Sequence, residues 1–393
     1  MNITLPLELL GGLSPKVFAR RYWQKKPLLI RQAIKHFKPV VDRTALFALA
    51  EQDEVESRLI VLDAKSQPQW RMRQGPIRRR QLPRLQDPAW TLLVQGVDLH
   101  VDAAHELLAQ FRFMPDARLD DLMISYASRG GGVGPHFDSY DVFLLQAQGQ
   151  RRWRVGRQKD LRLRADVPLK ILQTFTPEHE YVLEPGDMLY LPPRYAHEGV
   201  ALNECMTYSI GFRSPAQEEI ARGLLSGLAE HMENPARQRV YTDPAQPSTA
   251  EPAELPAQLQ AFATRSIRDA LKHDLAIHRA LGEFLTEPKA GVWFDSPAHT
   301  RLGAWGNGVR LDRRTRMLYD ANHVYINGES FIAAGKDFGL MQRLANLRQL
   351  SGDERSRLSK SAATTLNEWV RAGWVKEAAS EKIQSSRQAS GAR

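Results

Sequence analysis

Between residues 119 and 213, short β-favouring runs alternate with turns that contain glycine or proline. The runs cover residues 124–126, 142–146, 152–155, 182–183, 188–191 and 206–212. Each is too short for a typical helix and is bounded by residues that favour turns. Repeated short strands of this kind predict a closed or double-sheet all-β core, of which the jelly roll with about eight strands is the commonest form.

Within this region, residues 130–140 read GGGVGPHFDSY and place His136 and Asp138 two residues apart. Alternate side chains of an extended strand point to the same face, so this imidazole and carboxylate can aim at one point. The spacing therefore predicts two metal ligands that directly follow a glycine-rich turn.

A third ligand is expected among the eleven histidines, and His197 is the strongest candidate. It follows a short apolar strand that ends in Pro192 and Pro193, and a proline pair stiffens the backbone before the next side chains. Strands distant in sequence meet in the interior of a two-sheet barrel, so His197 can approach His136 and Asp138. Two imidazoles and one carboxylate on one face of an ion leave open positions and are typical of non-haem iron.

The alternative interpretation makes His136 an ordinary turn residue and His197 an ordinary surface residue. A bare His-x-Asp tripeptide does not decide between the two. The flanking sequences GPHFDSY and PPRYAHEG together favour the metal site.

With 393 residues, the chain is long enough for about two or three domains. Cys205 is its only cysteine, which excludes an intrachain disulfide and fits a reducing compartment. The amino-terminal residues 1–12 lack the pattern of a signal peptide, and no run is long enough to span a bilayer. These features predict a cytoplasmic protein without a membrane segment.

The chain has a net charge of +9, which permits contact with nucleic acid without requiring it. Six arginines crowd into residues 68–84, and they are either a solvated surface or a face for nucleic acid. Direct nucleic-acid binding is therefore left open.

Helix signals flank the β-rich region. Ser14 followed by Pro15 predicts the start of a helix over residues 14–24, and Asp42 predicts the cap of another over 42–50. After Ser214 the pattern becomes helical, with helices over 215–232 and 257–285 on either side of a linker.

The last third of the chain returns to a mixed pattern. Asn327-Gly328 predicts a hairpin, and helices are expected over 338–349 and 361–372. Short strands beside helices suggest a winged-helix-like module, which either contacts nucleic acid or serves as an interaction domain. The predicted domains are 1–213 for the β-rich domain, 214–290 for the helical region, 291–375 for the winged-helix-like domain and 376–393 for a disordered tail.

The motifs of the chain resemble those of the Jumonji-C oxygenases of the cupin superfamily, and among these the bacterial ribosomal oxygenases. The resemblance rests on WQKKPL (23–28), EVESRL (54–59), DDLMISY (120–126), GGGVGPHFDSYDVF (130–143), GQRRWRVG (149–156), LEPGDMLYLPP (183–193) and YSIGFR (208–213). It implies an α+β chain with a double-stranded β-helix core, a helical dimerisation region and a C-terminal winged-helix-like domain.

The resemblance further implies a dioxygenase that uses Fe(II), 2-oxoglutarate and O2 to hydroxylate a protein. His136, Asp138 and His197 take the positions of the iron ligands. Arg151 takes the position of the cation that binds the far carboxylate of 2-oxoglutarate, where many relatives have lysine, and Ser125 lies near it. A guanidinium suits this role because it binds a carboxylate through two parallel hydrogen bonds.

The substrate implied by the resemblance is an arginine side chain of a large-subunit ribosomal protein. Histidine hydroxylation and a cupin-type ligand sensor that binds nucleic acid are the alternatives. Because a basic enzyme repels a basic substrate at long range, we expect a locally acidic mouth, with candidates Asp116, Asp120, Asp121 and Asp141. On this hypothesis Asp141→Asn weakens peptide capture.

Two further expectations complete the sequence-based picture. The amphipathic helices after Ser214 either pack on the β core or bury their apolar stripes in a second copy, which predicts a homodimer. Gly130, Gly131, Gly132 and Gly134 are expected to keep side-chain bulk away from the open face of the metal.

Overall fold

The computed structural model describes residues 2–63, 69–231, 240–248, 250–272, 274–296 and 308–378. The chain divides into two compact units, Met1–Ser214 and Pro215–Arg393. The predicted domain boundaries stay predictions, and most of the predicted tail lies outside the described residues. No helix among the described residues has the length and apolarity needed to cross a membrane.

The helices of the first unit begin where the sequence predicts. Helix α1 (Pro15–Arg21) is capped by Ser14, whose Oγ accepts a hydrogen bond of 3.3 Å from the amide of Val17. Helix α2 (Arg43–Ala50) is capped by Asp42 through a hydrogen bond of 2.8 Å from the amide of Ala45. Both caps satisfy amides that a helix leaves unpaired in its first turn. Helix α3 covers Asp102–Ala109.

The strands of the first unit form two sheets. In chain order they are β1 (Leu28–Ile30), β2 (Ser57–Leu62), β3 (Trp70–Gln74), β4 (Trp90–Val94), β5 (Leu119–Ala127), β6 (Asp141–Gln148), β7 (Arg151–Gly156), β8 (His179–Leu183), β9 (Met188–Leu191), β10 (Ala196–Ala201) and β11 (Cys205–Phe212). Within the described residues, the larger sheet has the order β1-β9-β6-β11-β5-β4-β2-β3 and the smaller one β10-β7-β8. All pairs are antiparallel, and strands distant in sequence lie side by side.

Apolar side chains of both sheets meet between them. Val142 and Leu144 of β6 pack with Trp153 and Val155 of β7 and with Leu189 of β9. The opposite face of the larger sheet is covered by α1, α2 and α3, which form the main hydrophobic core with it. The chain therefore has the predicted cupin-type double-sheet fold, with one end of the space between the sheets free for a site.

The second unit begins with three helices, α4 (Gln217–His231), α5 (Ala257–Ala270) and α6 (Asp274–Thr286). The prediction of one helix over residues 257–285 is wrong, because α5 and α6 are separate. Asp274 in the first turn of α6 favours a helix start, since a carboxylate stabilises the positive end of the helix dipole.

The C-terminal part of the second unit contains short strands and three helices. The strands are β12 (Val309–Leu311), β13 (Met317–Tyr319), β14 (Val324–Ile326), β15 (Glu329–Phe331), β16 (Gln349–Leu350) and β17 (Val375–Glu377), and the helices are α7 (Gly335–Leu347), α8 (Gly352–Ser356) and α9 (Lys360–Arg371). Asn327 and Gly328 connect β14 to β15 with φ of 48° and 89°, as a two-residue hairpin turn requires. The predicted hairpin is confirmed.

Candidate active site

His136 and His197 are brought together by main-chain hydrogen bonds. The amide of His136 donates to the carbonyl of His197 at 3.0 Å, and the amide of His197 donates back at 2.8 Å. Asp138 is held by the amide of Arg194, which donates to its carbonyl oxygen at 2.8 Å just after the proline pair. The three residues therefore sit at fixed positions on two segments that are far apart in sequence.

The side chains of these residues converge on one point. One ligand atom from each of His136, Asp138 and His197 lies within 4.8 Å of the other two. Nδ1 of His136 lies 2.9 Å from the carbonyl oxygen of Gly134, and Nδ1 of His197 lies 3.0 Å from that of Tyr195. A carbonyl only accepts, so Nδ1 of each ring donates to it and Nε2 is the atom left to face a metal.

The protonation state of His197 suits metal binding. Burial, followed by the neighbouring His136, lowers the pKa of His197 to about 4. The imidazole is therefore neutral at neutral pH, as a ligand must be. Two neutral imidazoles and the Asp138 carboxylate fit a divalent iron ion, and the three residues could hold it with coordination positions left over.

A cavity between the two sheets links this triad to Arg151. Its polar lining includes Gln95, Asp121, Ser125, His136, Asp138, Tyr140, Arg151, Trp153, His197 and Thr207. Arg151 is 3% exposed, and Nη1 donates to Ser125 Oγ at 3.1 Å while Nη2 donates to the carbonyl of Gly199 at 3.2 Å. Both residues proposed for the co-substrate therefore lie together in the cavity that contains the triad.

Arg151 is a buried cation without a counterion. Among the described residues none forms an ion pair with it, and its Nε has no hydrogen-bond partner. Burial lowers the pKa of Arg151, which shows the cost of holding this charge in the interior. An anion bound beside it would offset that cost, so the pocket fits a carboxylate.

Gly199 gives Arg151 the room it needs. A methyl group at this position would lie 2.6 Å from Arg151 Nε and 2.7 Å from the Trp153 ring. Trp153 also lies with its ring centre 5.0 Å from the Arg151 guanidinium. No local pattern in the sequence marks Gly199, because its role follows from the pairing of β10 with β7.

On β7, the face opposite Arg151 and Trp153 carries Arg152 and Arg154. Arg154 pairs with Glu198 of the neighbouring strand β10. Only one face of β7 therefore lines the cavity.

The expected role of the glycine-rich turn is wrong for two of its glycines. A methyl group on Gly131 would lie 2.3 Å from the carbonyl oxygen of Trp90, and one on Gly132 would lie 2.3 Å from that of Gly199. These glycines permit close approach of neighbouring main chains and do not clear the face of the metal. Gly130 and Gly134 adopt φ of 79° and 80°, which favours glycine.

Asp141 is not part of an acidic mouth, so the prediction for Asp141→Asn is wrong. Its side chain is fully buried and accepts hydrogen bonds from Tyr190 at 2.6 Å and Gln24 at 3.1 Å. Arg118 forms an ion pair with it at 3.2 Å. Asp141 therefore stabilises the core. Asp116 is likewise paired, with Arg112.

Asp121 lines the cavity, together with Tyr140. The side chain of Asp121 is nearly buried, and Oδ2 accepts a hydrogen bond of 3.2 Å from the amide of Gly96. A methyl group on Gly211 would lie 3.4 Å from Asp121 Oδ1 and 3.7 Å from the Tyr140 ring, so this glycine leaves a space beside both. Burial, followed by the carboxylates of Asp138, Asp121 and Asp120, raises the pKa of Tyr140.

Tyr140 could have been found from the sequence and Gly211 could not. Tyr140 follows Asp138 by two residues, the spacing that suggested the metal pair. Gly211 faces the cavity because of its place in β11 between β5 and β6, which no local pattern reveals.

Two family models match the chain. A JmjC domain matches residues 106–220, and a ROXA-like winged helix matches residues 269–376. The chain is 35% identical over 361 residues to the ribosomal protein uL16 3-hydroxylase of Escherichia coli. The aligned region covers 84% of this chain and 94% of that protein. It is 36% identical over 220 residues to a probable ribosomal oxygenase of Haemophilus influenzae, over 55% and 54% of the two chains.

Solved structures of the Escherichia coli ribosomal oxygenase YcfD match the whole fold. One has a TM-score of 0.80 at 30% identity and covers 92% of this chain and 97% of the other. Another, in complex with cobalt and 2-oxoglutarate, has a TM-score of 0.77 at 30% identity over 93% and 98% of the two chains. The chain is therefore a JmjC-domain protein with a C-terminal ROXA-like winged helix and belongs to the ribosomal oxygenase family.

Proposed function

We propose that this protein hydroxylates an arginine side chain of a large-subunit ribosomal protein. As a JmjC ribosomal oxygenase it is a dioxygenase that uses Fe(II), 2-oxoglutarate and O2. The observation that carries the proposal is a single cavity in which a set of metal ligands, a buried cation and a nearly buried carboxylate line the same space. Each would bind a different component of the reaction.

His136, Asp138 and His197 are the proposed iron ligands. When bound, the iron supplies the activation of dioxygen that lets a protein oxidise an unactivated carbon. The carbonyl partners of the two Nδ1 atoms keep both rings oriented, so their Nε2 atoms need no rearrangement before binding.

Arg151 and Ser125 are the proposed anchors of 2-oxoglutarate. The guanidinium would bind the far carboxylate through charge-assisted hydrogen bonds, and the Ser125 hydroxyl, already within reach of Nη1, holds the cation in place. The Trp153 ring, which contacts Arg151 and lies 5.8 Å from the His197 ring, forms a wall along the path between anchor and metal. This arrangement would fix one end of the co-substrate.

Asp121 and Tyr140 are the proposed contacts of the substrate guanidinium. A carboxylate binds a guanidinium through paired hydrogen bonds, and an aromatic face adds a cation–π contribution. The Asp138, Asp121 and Asp120 carboxylates each act on Tyr140 more strongly than the opposing Arg58 guanidinium does, so the charge around this ring is on balance negative although the chain as a whole is basic. A neutral histidine would gain less from this charge than an arginine.

The ribosomal substrate is inferred from the named activity of the Escherichia coli relative, a uL16 3-hydroxylase. The corresponding large-subunit protein is the proposed substrate here, and a cytoplasmic reaction is proposed with it. The test is incubation of ribosomal proteins with the iron-loaded enzyme and 2-oxoglutarate, followed by peptide mass spectrometry. Addition of one oxygen atom to an arginine supports the proposal, whereas modification only at histidine, or no succinate formation with any ribosomal peptide, contradicts it.

Asp121→Asn is expected to raise the KM for the substrate peptide by about tenfold or more, because the guanidinium loses a charged partner worth roughly 1.5–3 kcal/mol. The KM for 2-oxoglutarate should not change, since Arg151 is intact. Initial rates at varied peptide concentration measure the effect. Asp116→Asn is the matched control, because Asp116 is paired with Arg112. Equal KM values for Asp121→Asn and wild type would remove Asp121 from the substrate site.

We also propose that the helices of the second unit associate with a second copy of the chain. Leu225 of α4, Ile267 of α5 and Leu275 of α6 are 53%, 58% and 58% exposed, which is unusual for large apolar side chains on amphipathic helices. Light scattering of the intact protein should give the mass of a dimer, and Leu225→Glu should shift it toward the monomer. A monomeric wild type at micromolar concentration would contradict the proposal.

A further inference from the structure

Gln95 contributes a hydrogen-bond donor to the cavity that the functions proposed above do not use. It directly follows β4 and is half-buried, and its side chain lines the cavity that contains the triad and Asp121. Its main-chain amide donates to the carbonyl of Glu56 at 2.9 Å. The backbone at this position is therefore fixed.

Arg58 of β2 fixes the orientation of the Gln95 side chain. Nη2 of Arg58 donates to Oε1 of Gln95 at 3.2 Å. A guanidinium has no acceptor, so the oxygen of the amide must face Arg58 and the Nε2 group must face away from it. Arg58 does not line the cavity whereas Gln95 does, so the amide donor is on the cavity side.

Within the described ranges, Nε2 of Gln95 makes no hydrogen bond and Arg58 makes no ion pair. The pair therefore presents a donor without an internal acceptor. A donor that a ligand desolvates without pairing weakens binding, so a ligand that enters the cavity binds best when it supplies an acceptor.

Asp121 lies next to this donor along the cavity wall. The amide of Gly96, the residue after Gln95, donates to Asp121 Oδ2 at 3.2 Å. A guanidinium bound by Asp121 carries only donors and cannot satisfy Gln95. The acceptor must therefore come from another part of the same substrate.

We propose that Gln95, positioned by Arg58, donates a hydrogen bond to a main-chain carbonyl oxygen of the polypeptide beside the arginine that enters the cavity. This inference rests on the proposed arginine hydroxylation and specifies how the substrate is recognised. A main-chain carbonyl is present in every polypeptide next to the arginine side chain, so the contact holds the main chain of the substrate beside the cavity.

The main test is Gln95→Met, which keeps the length of the side chain and removes the donor. The KM for a ribosomal peptide that the wild type hydroxylates should rise about tenfold, which corresponds to about 1.4 kcal/mol, because the hydrogen bond is lost and the carbonyl is left unpaired. The kcat at saturating peptide and the dissociation constant for 2-oxoglutarate should not change. Gln52→Met, at an exposed position, is the control.

Arg58 is tested as a positioning residue. Arg58→Met should raise the KM for peptide by a similar factor because the amide is free to rotate, and Arg58→Lys should restore part of the affinity because an ammonium still donates to Oε1. Melting temperatures of the variants separate these effects from a loss of fold. Failure of Arg58→Lys to improve on Arg58→Met would contradict the positioning role.

Backbone-ester peptides identify the acceptor. Each peptide in the series has one amide near the arginine replaced by an ester, which weakens a single carbonyl acceptor. One of these esters should reduce the affinity of the wild type several-fold. The same ester should leave the affinity of Gln95→Met unchanged. Equal losses of affinity for the wild type and Gln95→Met, or an unchanged KM for Gln95→Met, would overturn this inference and leave the proposed arginine hydroxylation in place. If the wild type hydroxylates no arginine in any peptide, the proposed function fails and this inference fails with it.

Discussion

The Asp138→Ala variant is expected to form no detectable succinate from 2-oxoglutarate, and its affinity for Fe(II) should fall by more than about a hundredfold. Changing a residue that merely orients a metal ligand typically costs about 10–100-fold, so loss of a ligand should cost more. Asp138 supplies the one carboxylate of the set, and two neutral imidazoles alone do not neutralise a divalent ion.

Two independent measurements check this result. Succinate formation reports turnover, and metal analysis after reconstitution and desalting reports iron content without any reaction. His197→Ala should behave in the same way, since its Nε2 lies 3.6 Å from Asp138 Oδ2 in the same ligand set. The control is His179→Ala, because His179 is exposed on β8. Wild-type iron content in both Asp138→Ala and His197→Ala would refute the assignment of the triad.

Arg151→Gln is expected to raise the KM for 2-oxoglutarate by about a hundredfold while iron content stays at the wild-type level. The variant removes a charged donor from a buried pocket, and charge-assisted hydrogen bonds contribute roughly 1.5–3 kcal/mol each. A loss of about 3 kcal/mol corresponds to slightly more than a hundredfold in affinity. Isothermal titration calorimetry of the metal-loaded protein with 2-oxoglutarate measures the dissociation constant, and with it the loss of affinity, directly.

Arg152→Gln is the matched control, since Arg152 is the next residue on β7 and faces away from the pocket. Gly199→Ala provides a second, charge-neutral perturbation, because a methyl group there would collide with Arg151 Nε and the Trp153 ring. It should also raise the KM for 2-oxoglutarate. If Arg151→Gln binds 2-oxoglutarate as tightly as Arg152→Gln does, the far carboxylate is bound elsewhere.

Under the proposed function, a basic protein has to bind a basic substrate. The net charge of +9 is spread over the chain, and surface charges farther apart than about 8–10 Å are largely screened at physiological salt. The carboxylates of Asp120, Asp121 and Asp138 lie close enough to Tyr140 to raise its pKa, so they act at short range where the guanidinium would bind.

Features that depend on local chain geometry could be predicted from the sequence. The two-residue spacing of His136 and Asp138 is a property of any extended strand, and the caps at Ser14 and Asp42 involve atoms three residues apart. The Asn327-Gly328 turn likewise needs only the backbone freedom of its own residues. Family motifs added the expected positions of Arg151 and Ser125.

Features that depend on strand register and burial were decided only by the tertiary structure. Asp120, Asp121 and Asp141 are all carboxylates close in sequence, yet Asp121 lines the cavity and Asp141 is fully buried beneath Tyr190 and Arg118. The sequence alone predicted a double-sheet core and a metal pair at His136 and Asp138, although the structure places both residues in the segment between β5 and β6 and not on a strand. Two contacts of the site depend on which strands are neighbours: Gly199 beside Arg151, and Arg58 beside Gln95. Each joins residues 37 or more positions apart, so no local sequence pattern could show it.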